Sequence, residues 1–241
     1  VFGVAAVLLY VLHARRFRFP IINLKVFSTR TFSVGITGNI VARLGIGSIP
    51  FLVPLMLQVG LGYSADIAGL ILIAPAVGSV MTKTVVLNIL HRFGYRRTLL
   101  FLTLSIAAIF MCMSLQQPGW PLMLLVVQLF VQGMLMSGQF TSMNTITLGD
   151  LPAETASDGN SLLSVAQNLS VSFGVAVSTA LLRVFSSSGE LYALHATFIA
   201  VGLMTAVSAF IFMLLRPEDG AHLLSNGSDT AAGSRSKGKK S

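Results

Sequence analysis

Arg43 is a charged residue inside a long apolar stretch of this sequence, residues 31–57. Asn39 lies one helical turn before it, so the two side chains share a face if the stretch is helical. In a membrane-crossing helix Arg43 would lie near the midplane, where a charge costs about 2.5–3.5 kcal/mol on insertion scales. Two interpretations stay open: Arg43 contacts an anion or belongs to a network of coupled charges, or it is a structural cation held by backbone carbonyls.

Polar side chains recur at helical spacing on two further apolar stretches, 121–147 and 160–183. The first carries Gln128, Gln132, Gln139 and Ser142, and the second carries Asn160, Ser164, Gln167 and Ser178. A polar face within hydrocarbon must turn toward protein or water, so the spacing predicts either interhelical hydrogen bonds or the lining of a cavity. The candidates for a substrate pathway are Asn39, Arg43, Gln132, Gln139, Ser142, Ser164 and Gln167.

No pattern in the sequence predicts an enzyme. Serines and histidines are scattered without an acid at helical spacing, and neither a phosphate-binding loop nor a cluster of metal ligands occurs. Cys112 is the single cysteine, which excludes an intrachain disulfide. We therefore predict no catalytic residue, no metal and no cofactor. No carboxylate lies deep in an apolar stretch, so a proton-coupling acid is expected in another part of the protein.

The composition predicts an all-α integral membrane protein. Mean hydropathy is +0.81 and only 10% of the residues are charged, which is too little polar surface for a water-soluble domain of 241 residues. The predicted helices are 31–57, 65–88, 98–115, 121–147, 160–183 and 192–215.

These six helices define a predicted transmembrane bundle over residues 31–215. Residues 1–30 are predicted to be the end of one preceding transmembrane helix and a basic cytoplasmic connector that lies along anionic lipid. Residues 216–241 are rich in Gly, Ser and Lys, which is typical of a disordered basic cytoplasmic tail.

A short basic turn separates the second predicted helix from the third. It contains His91, Arg92, Gly94, Arg96 and Arg97. Gly94 suits a chain reversal because a residue without Cβ tolerates positive φ, and arginines beside apolar segments are typical of the cytoplasmic side. The net charge of +8 is explained by this topology rather than by nucleic-acid binding.

The acidic stretch 148–160 is predicted to be a second loop on the cytoplasmic side, as is the C-terminus. It carries three acids and no base, so we expect Asp150, Glu154 or Asp158 to pair with arginines of the basic turn.

This arrangement resembles the major facilitator superfamily. Its cytoplasmic signature, roughly G-x-L-x-D-R-x-G-R-[RK], is similar to the basic turn at Arg92, Gly94 and Arg96. Leu87, His91 and Tyr95 depart from it, and a degenerate copy is typical of the C-terminal six-helix half of such transporters.

A second segment carries a closer resemblance. Leu151-Pro152 and the stretch 157–176 are similar to the region before the penultimate helix of the fourteen-helix drug:proton antiporter branch, the EmrB/QacA group, and in particular to its MdtD-like members. The resemblance implies the C-terminal half of a secondary active transporter of a bacterial inner membrane. The implied activity is proton-coupled multidrug efflux by alternating access. The implied partners are the missing N-terminal half, membrane lipid, a small amphipathic substrate and protons.

Two alternatives stay open. Arg43, in a bundle without a deep acid, is also compatible with an exporter of an organic anion or a metal chelate. The basic tail and the acidic stretch 148–160 are also compatible with a membrane sensor or scaffold that transports nothing.

Overall fold

The computed structural model describes residues 24–216, 218–220 and 223, and every regular element in this part of the chain is helical. Six helical spans are long and apolar enough to cross a membrane, which confirms the predicted all-α, six-helix membrane bundle: Arg30–Gly60, Ala65–Thr82, Val85–Met113, Leu122–Gly149, Ala153–Phe185 and Glu190–Phe212. The elements are α1 (Arg30–Ile46), α2 (Ile49–Leu55), a π-helical turn (Met56–Gly60), α3 (Ala65–Ile71), α4 (Ile73–Met113), α5 (Leu122–Gly149), α6 (Ala153–Phe185) and α7 (Glu190–Phe212).

The first α-helix, α1, contacts three other helices of the bundle, α5, α6 and α7. Small residues allow the close approach. Gly45 faces Thr205 of α7, and Gly174 of α6 lies directly against the carbonyl oxygen of Leu44. A Cβ at either glycine would overlap its neighbour. The backbone of α1 therefore contacts a side chain of α7 and the backbone of α6 directly. In lipid there is no hydrophobic driving force between helices, so close packing of this kind is what holds them together.

Helix α4 consists of two antiparallel arms, residues 73–93 and 95–113. Gly94 alone has non-helical torsion angles, φ 73° and ψ 169°, and it separates the arms. A Cβ built on Gly138 of α5 would lie 3.4 Å from both Thr82 and Leu102, which belong to different arms. The chain therefore reverses at Gly94, as predicted. The predicted non-helical segment 89–97 is wrong, because one glycine is sufficient to reverse the chain and its neighbours stay helical.

The predicted acidic loop 148–160 is also wrong in its extent. Helix α5 continues to Gly149 and α6 begins at Ala153. Pro152 precedes the first turn of α6, where its fixed φ is compatible with a helix start, and Glu154 lies in that turn near the positive end of the helix dipole. The helix begins before its apolar part, so Glu154 and Asp158 are helical residues.

The start of the predicted disordered tail is instead packed on the bundle. Gly220 is buried and lies against Tyr95 and Ile146, and Leu223 lies against Gly149 at the end of α5. The prediction of disorder is therefore corrected for residues 216, 218–220 and 223, which form a turn over one end of the helices. The rest of the predicted tail lies outside the described residues.

The predicted connector is described only from residue 24 onward. A 3-10 helix, Leu24–Ser28, precedes α1, and Val26 is buried with Phe32, Ile36 and Leu163 in a small apolar cluster between α1 and α6. This end of the connector is therefore inserted into the bundle. Residues 1–23, which include the predicted end of a preceding helix, lie outside the described residues.

Most of the described arginines lie at one end of the bundle. Arg30 donates a hydrogen bond from Nη2 to the carbonyl oxygen of Leu214, at 2.8 Å, so the start of α1 meets the end of α7. The turn at Gly94 and the end of α5 meet the segment after α7 at the same place. This end, here called the basic end, carries Arg30, Arg92, Arg96, Arg97 and Arg216.

Candidate functional site

A cavity of about 620 Å³ opens between α2, the first arm of α4, and α5. Its lining is mostly apolar. The lining residues are Ile49, Pro50, Val53, Pro54, Leu72, Pro75, Ala76, Ser79, Leu129, Gln132, Gly133, Met136, Ser137, Phe140 and Thr141. A volume of this size matches the range of about 300–1,000 Å³ that small-molecule sites occupy.

Prolines shape this cavity by interrupting the first membrane span. Helix α1 ends at Ile46, and α2 begins at Ile49 with Pro50 in its first turn. Pro54 lies inside α2 and removes the donor that would bond the carbonyl oxygen of Pro50, whereas Pro50 itself suits the first turn of a new helix. Pro54 is followed by the π-helical turn Met56–Gly60. Irregular backbone inside a membrane is tolerated only where it is buried in protein or lines a cavity, and this break in the first span lies beside one.

The opposite wall is set by a close contact between α4 and α5. Gly133 lies directly against the backbone of Pro75, and Gly78 lies against the carbonyl oxygen of Phe130. Ser137 donates a hydrogen bond to the carbonyl oxygen of Ser79, at 2.9 Å. These contacts fix the first arm of α4 beside α5, and the cavity forms where the broken first span diverges from both.

Arg43 is held at the margin of this cavity. Its Nε donates a hydrogen bond to Oδ1 of Asn39, at 2.7 Å, and its guanidinium carbon lies 4.1 Å from the ring centroid of Phe140. Phe140 also lines the cavity, so the cation is stacked on one of the cavity's own walls. Among the described residues the Nε bond is the only hydrogen bond that the side chain of Arg43 makes, and its two Nη groups remain available for a ligand.

Asn144 joins this arginine to a third helix. Its Oδ1 accepts hydrogen bonds from Nδ2 of Asn39, at 3.1 Å, and from Nε2 of Gln167, at 2.9 Å. The network therefore links α1, α5 and α6 through side chains alone. In a low-dielectric interior such a network fixes the orientation of its members, because each unpaired polar group would be costly.

The structure brings three of the predicted pathway residues together and separates the others. Asn39, Arg43 and Gln167 belong to one network. Gln132 lies on the cavity wall, where its Oε1 is buried and has no hydrogen-bond partner among the described residues. Ser164 is exposed on α6 and donates to the carbonyl oxygen of Asn160.

Gln139 and Ser142 lie away from the cavity. Gln139 is fully buried and donates a hydrogen bond to Thr103 of the second arm of α4, at 2.8 Å. Ser142 is fully buried too and donates to the carbonyl oxygen of Gly138 in its own helix. Both side chains make contacts inside the bundle, so the geometry gives them a packing role and no access to the cavity.

Asn144 and Phe140 are site residues that the sequence analysis did not select. They lie four residues apart on α5, and so share a helix face with each other, but that face is rotated from the one that carries Gln139 and Ser142. Candidates on this helix were chosen in the sequence analysis by the spacing of its polar residues. That spacing could not show which side of α5 meets Arg43.

The basic turn lies far from this network, at the basic end. His91, Arg92 and Arg97 are exposed, and Arg96 and Gly94 are half-buried. The guanidinium of Arg92 lies 5.6 Å from the ring centroid of Phe93. A second concavity of about 510 Å³ is lined by Phe93, Gly94, Arg96, Arg97 and Leu100.

Six membrane-length helical spans, three of which border an apolar cavity, define a helical integral membrane protein. The chain belongs to the Major Facilitator Superfamily, whose family model matches residues 35–237. This confirms the resemblance found in the sequence.

Curated relatives carry the name "Putative multidrug resistance protein MdtD". Those of Escherichia coli K12, Escherichia coli O9:H4 (strain HS) and Shigella boydii serotype 18 are each 44% identical to this chain over 218 residues. The match covers 87% of this chain and 46% of each relative. The chain thus spans about half the length of the curated relatives it matches.

Proposed function

We propose that this chain is the C-terminal half of a secondary active transporter that exports amphipathic compounds in exchange for protons, by alternating access. The cavity of about 620 Å³ is the observation that carries the proposal. Its apolar walls suit a hydrophobic body, while the network around Arg43 supplies a few polar contacts at one margin. The "multidrug resistance" name of the MdtD relatives, at 44% identity, supports the substrate class.

The wall of the cavity includes side chains that adapt to different ligands. Met136 has three rotatable bonds and a polarisable sulfur, and Phe140 offers an aromatic face. Gln132 contributes the acceptor Oε1, which lacks a partner among the described residues. A mostly apolar site with few directional groups is typical of binding that tolerates many substrates.

The exposed surface of α6 supports a second, facing half. Its exposed polar residues follow helical spacing: Ser157, Ser161, Ser164, Asn168 and Ser172. The hydroxyls of Ser161, Ser164 and Ser172 donate to carbonyl oxygens one turn earlier in α6, but a continuous row of polar groups still favours a protein or water-lined surface over lipid. An N-terminal half of the same transporter is the partner that we infer, and the substrate pathway would lie between the two halves near the midplane.

The distribution of charge supports the proposed orientation. The basic end carries five arginines, whereas the opposite end has Arg183 near its loops. Positive residues next to transmembrane helices favour the cytoplasmic side. We infer that the basic end and the C-terminus are cytoplasmic, and that the protein resides in a bacterial inner membrane.

The proton-coupling acid is assigned to the other half. Within the described residues the carboxylates lie at helix ends or in loops: Asp66, Asp150, Glu154, Asp158, Glu190, Glu218 and Asp219. None of them lines the cavity. A carrier driven by protons needs a titratable group in its pathway, and Arg43 would modulate such a group electrostatically from this half.

A transport assay tests this proposal. The full transporter is reconstituted in proteoliposomes, a pH gradient is imposed, and movement of a panel of amphipathic cations, neutral compounds and anions is followed. We expect movement that depends on the gradient and stops when an ionophore collapses it. Gradient-independent equilibration, or no movement of any compound, would contradict the proposal.

A second candidate, export of an organic anion or a metal chelate, is favoured by the available Nη groups of Arg43. Pairs of compounds that differ only in an acid or its methyl ester distinguish the two candidates. If anions are the substrates, Arg43→Gln abolishes transport of the acid, Arg43→Lys retains part of it, and Arg183→Gln has no effect. Transport of cations alone, unchanged in Arg43→Gln, would exclude this candidate.

A further inference from the structure

The concavity of about 510 Å³ at the basic end combines positive and apolar side chains. Arg96 and Arg97 line it together with Phe93 and Leu100. Gly94 opens the space because its positive φ breaks the helix there and turns the second arm of α4 away. A site with two guanidinium groups beside an aromatic ring and an aliphatic side chain suits a ligand that is anionic at one end and apolar at the other.

The position of the two arginines is fixed by their buried neighbours. Tyr95 is 3% exposed and lies against Gly220, while Thr98 and Leu99 are also buried. These residues anchor the first turn of the second arm. The backbone N–H groups of such a turn lack helical partners and add positive potential at the same place.

An exposed apolar stripe continues from this concavity along the second arm of α4. Arg97, Leu100, Phe101 and Leu104 follow one another at i, i+3, i+4 and i+7, and therefore share one face. Phe101 is 66% exposed and Leu104 is 53% exposed. The stripe from Arg97 to Leu104 is about 10 Å long, which fits within one leaflet, whose hydrocarbon is about 15 Å thick.

This stripe differs from the exposed surface of α6. The α6 surface carries a row of serines and asparagines, whereas the stripe beyond Arg97 is apolar and compatible with hydrocarbon. The arginines thus lie where lipid head groups meet the end of a membrane-crossing helix. This combination of charge and hydrophobicity favours a lipid over a free anion.

We propose that Arg96 and Arg97 bind the phosphate of an anionic phospholipid whose acyl chain lies along Leu100, Phe101 and Leu104. The site requires only that the bundle lies in a membrane, so it is independent of the transport activity. A phosphate fits the fork of an arginine in bidentate geometry, and a net negative head group is attracted where a zwitterionic one is not.

Binding to the purified protein in detergent tests the proposal. Phosphatidylglycerol, phosphatidylcholine with the same acyl chains, and inorganic phosphate are titrated separately, and occupancy is measured by native mass spectrometry and by the shift in thermal unfolding temperature. We expect phosphatidylglycerol to bind most tightly and inorganic phosphate to leave the unfolding temperature unchanged. Equal binding of the two lipids, or an equal effect of inorganic phosphate, would overturn the proposal.

Matched variants locate the site. Each of Arg96→Gln and Arg97→Gln is expected to weaken phosphatidylglycerol binding about fivefold, which corresponds to one surface cation near an anionic lipid. Arg183→Gln removes an exposed arginine at the opposite end and serves as the control. Because Arg97 is exposed, its variant tests the site without disturbing the core. Unchanged lipid binding in Arg97→Gln would place the lipid elsewhere and refute the assignment.

Discussion

Arg43 is oriented by two neighbours, the carboxamide of Asn39 and the ring of Phe140. A guanidinium in hydrocarbon is stabilised by such contacts, and the ring of Phe140 connects this one to the cavity that the ring lines. Asn144 completes the arrangement by accepting from both Asn39 and Gln167. Oδ1 of Asn144 is therefore a shared acceptor that connects three helices next to the side chain of Arg43.

Replacing Asn144 tests that account. Asn144→Ala leaves the donors of Asn39 and Gln167 unpaired, so we expect a loss of about 1–2 kcal/mol in stability, seen as a lower unfolding temperature in detergent. Thr145→Ala is the control, since its hydroxyl donates only to the carbonyl oxygen of Thr141 in its own helix. Equal unfolding temperatures for the two variants would argue against a shared network.

The sequence identified the arginine but only part of its surroundings. Asn39 and Arg43 lie four residues apart, so their contact follows from helical geometry alone. The contacts to Asn144 and Phe140 depend on how α5 is rotated against α1, and the polar spacing on α5 favoured the face that carries Gln139 instead. Interhelical pairing is set by packing of small residues such as Gly35 against Thr147, which a single sequence does not specify.

At the scale of elements, the reversal at Gly94 decides how both arms of α4 lie on α5. Its φ of 73° and ψ of 169° fall in a region that residues with a Cβ rarely occupy. The prediction of a turn at this glycine succeeded because the conformational requirement is local. The helix limits were predicted less well, since α6 begins in polar residues that hydropathy does not mark.

Gly94→Ala is expected to destabilise the protein by about 1–3 kcal/mol, because alanine is strained in this conformation. Gly69→Ala provides a matched control in α3, where the backbone is helical and a Cβ meets nothing within 4 Å. Thermal unfolding of both variants in the same detergent measures the difference. If Gly69→Ala lowers the unfolding temperature as much as Gly94→Ala, the strain argument fails.

At the scale of the whole molecule, charge and polarity divide the surface into distinct regions. We propose different surroundings for three regions: cytoplasm for the basic end, a facing half for the polar stripe on α6, and lipid for the apolar stripe on α4. Composition predicted the membrane fold, which is confirmed, whereas the cytoplasmic side of the basic turn stays a prediction that rests on its arginines. Composition could not predict the cavity, which arises because the broken first span diverges from α4 and α5.

Labelling of single cysteines tests the orientation. In a Cys112→Ser background, Arg92→Cys lies at the basic end and Gln117→Cys lies in the exposed loop at the opposite end. A membrane-impermeant maleimide added to intact cells should label the Gln117→Cys protein, and the Arg92→Cys protein only after permeabilisation. The reverse pattern would invert the proposed topology.

We propose that the cavity between α2, α4 and α5 binds the substrate of a proton-driven exporter. The most direct test compares Ala76→Trp, which fills the cavity, with Val77→Trp, whose position is exposed on the same helix but does not line the cavity. Gradient-driven transport in proteoliposomes should fall about tenfold or more in Ala76→Trp, because the substrate is displaced, and stay near the unmodified rate in Val77→Trp. Equal transport rates for the two variants would contradict the account.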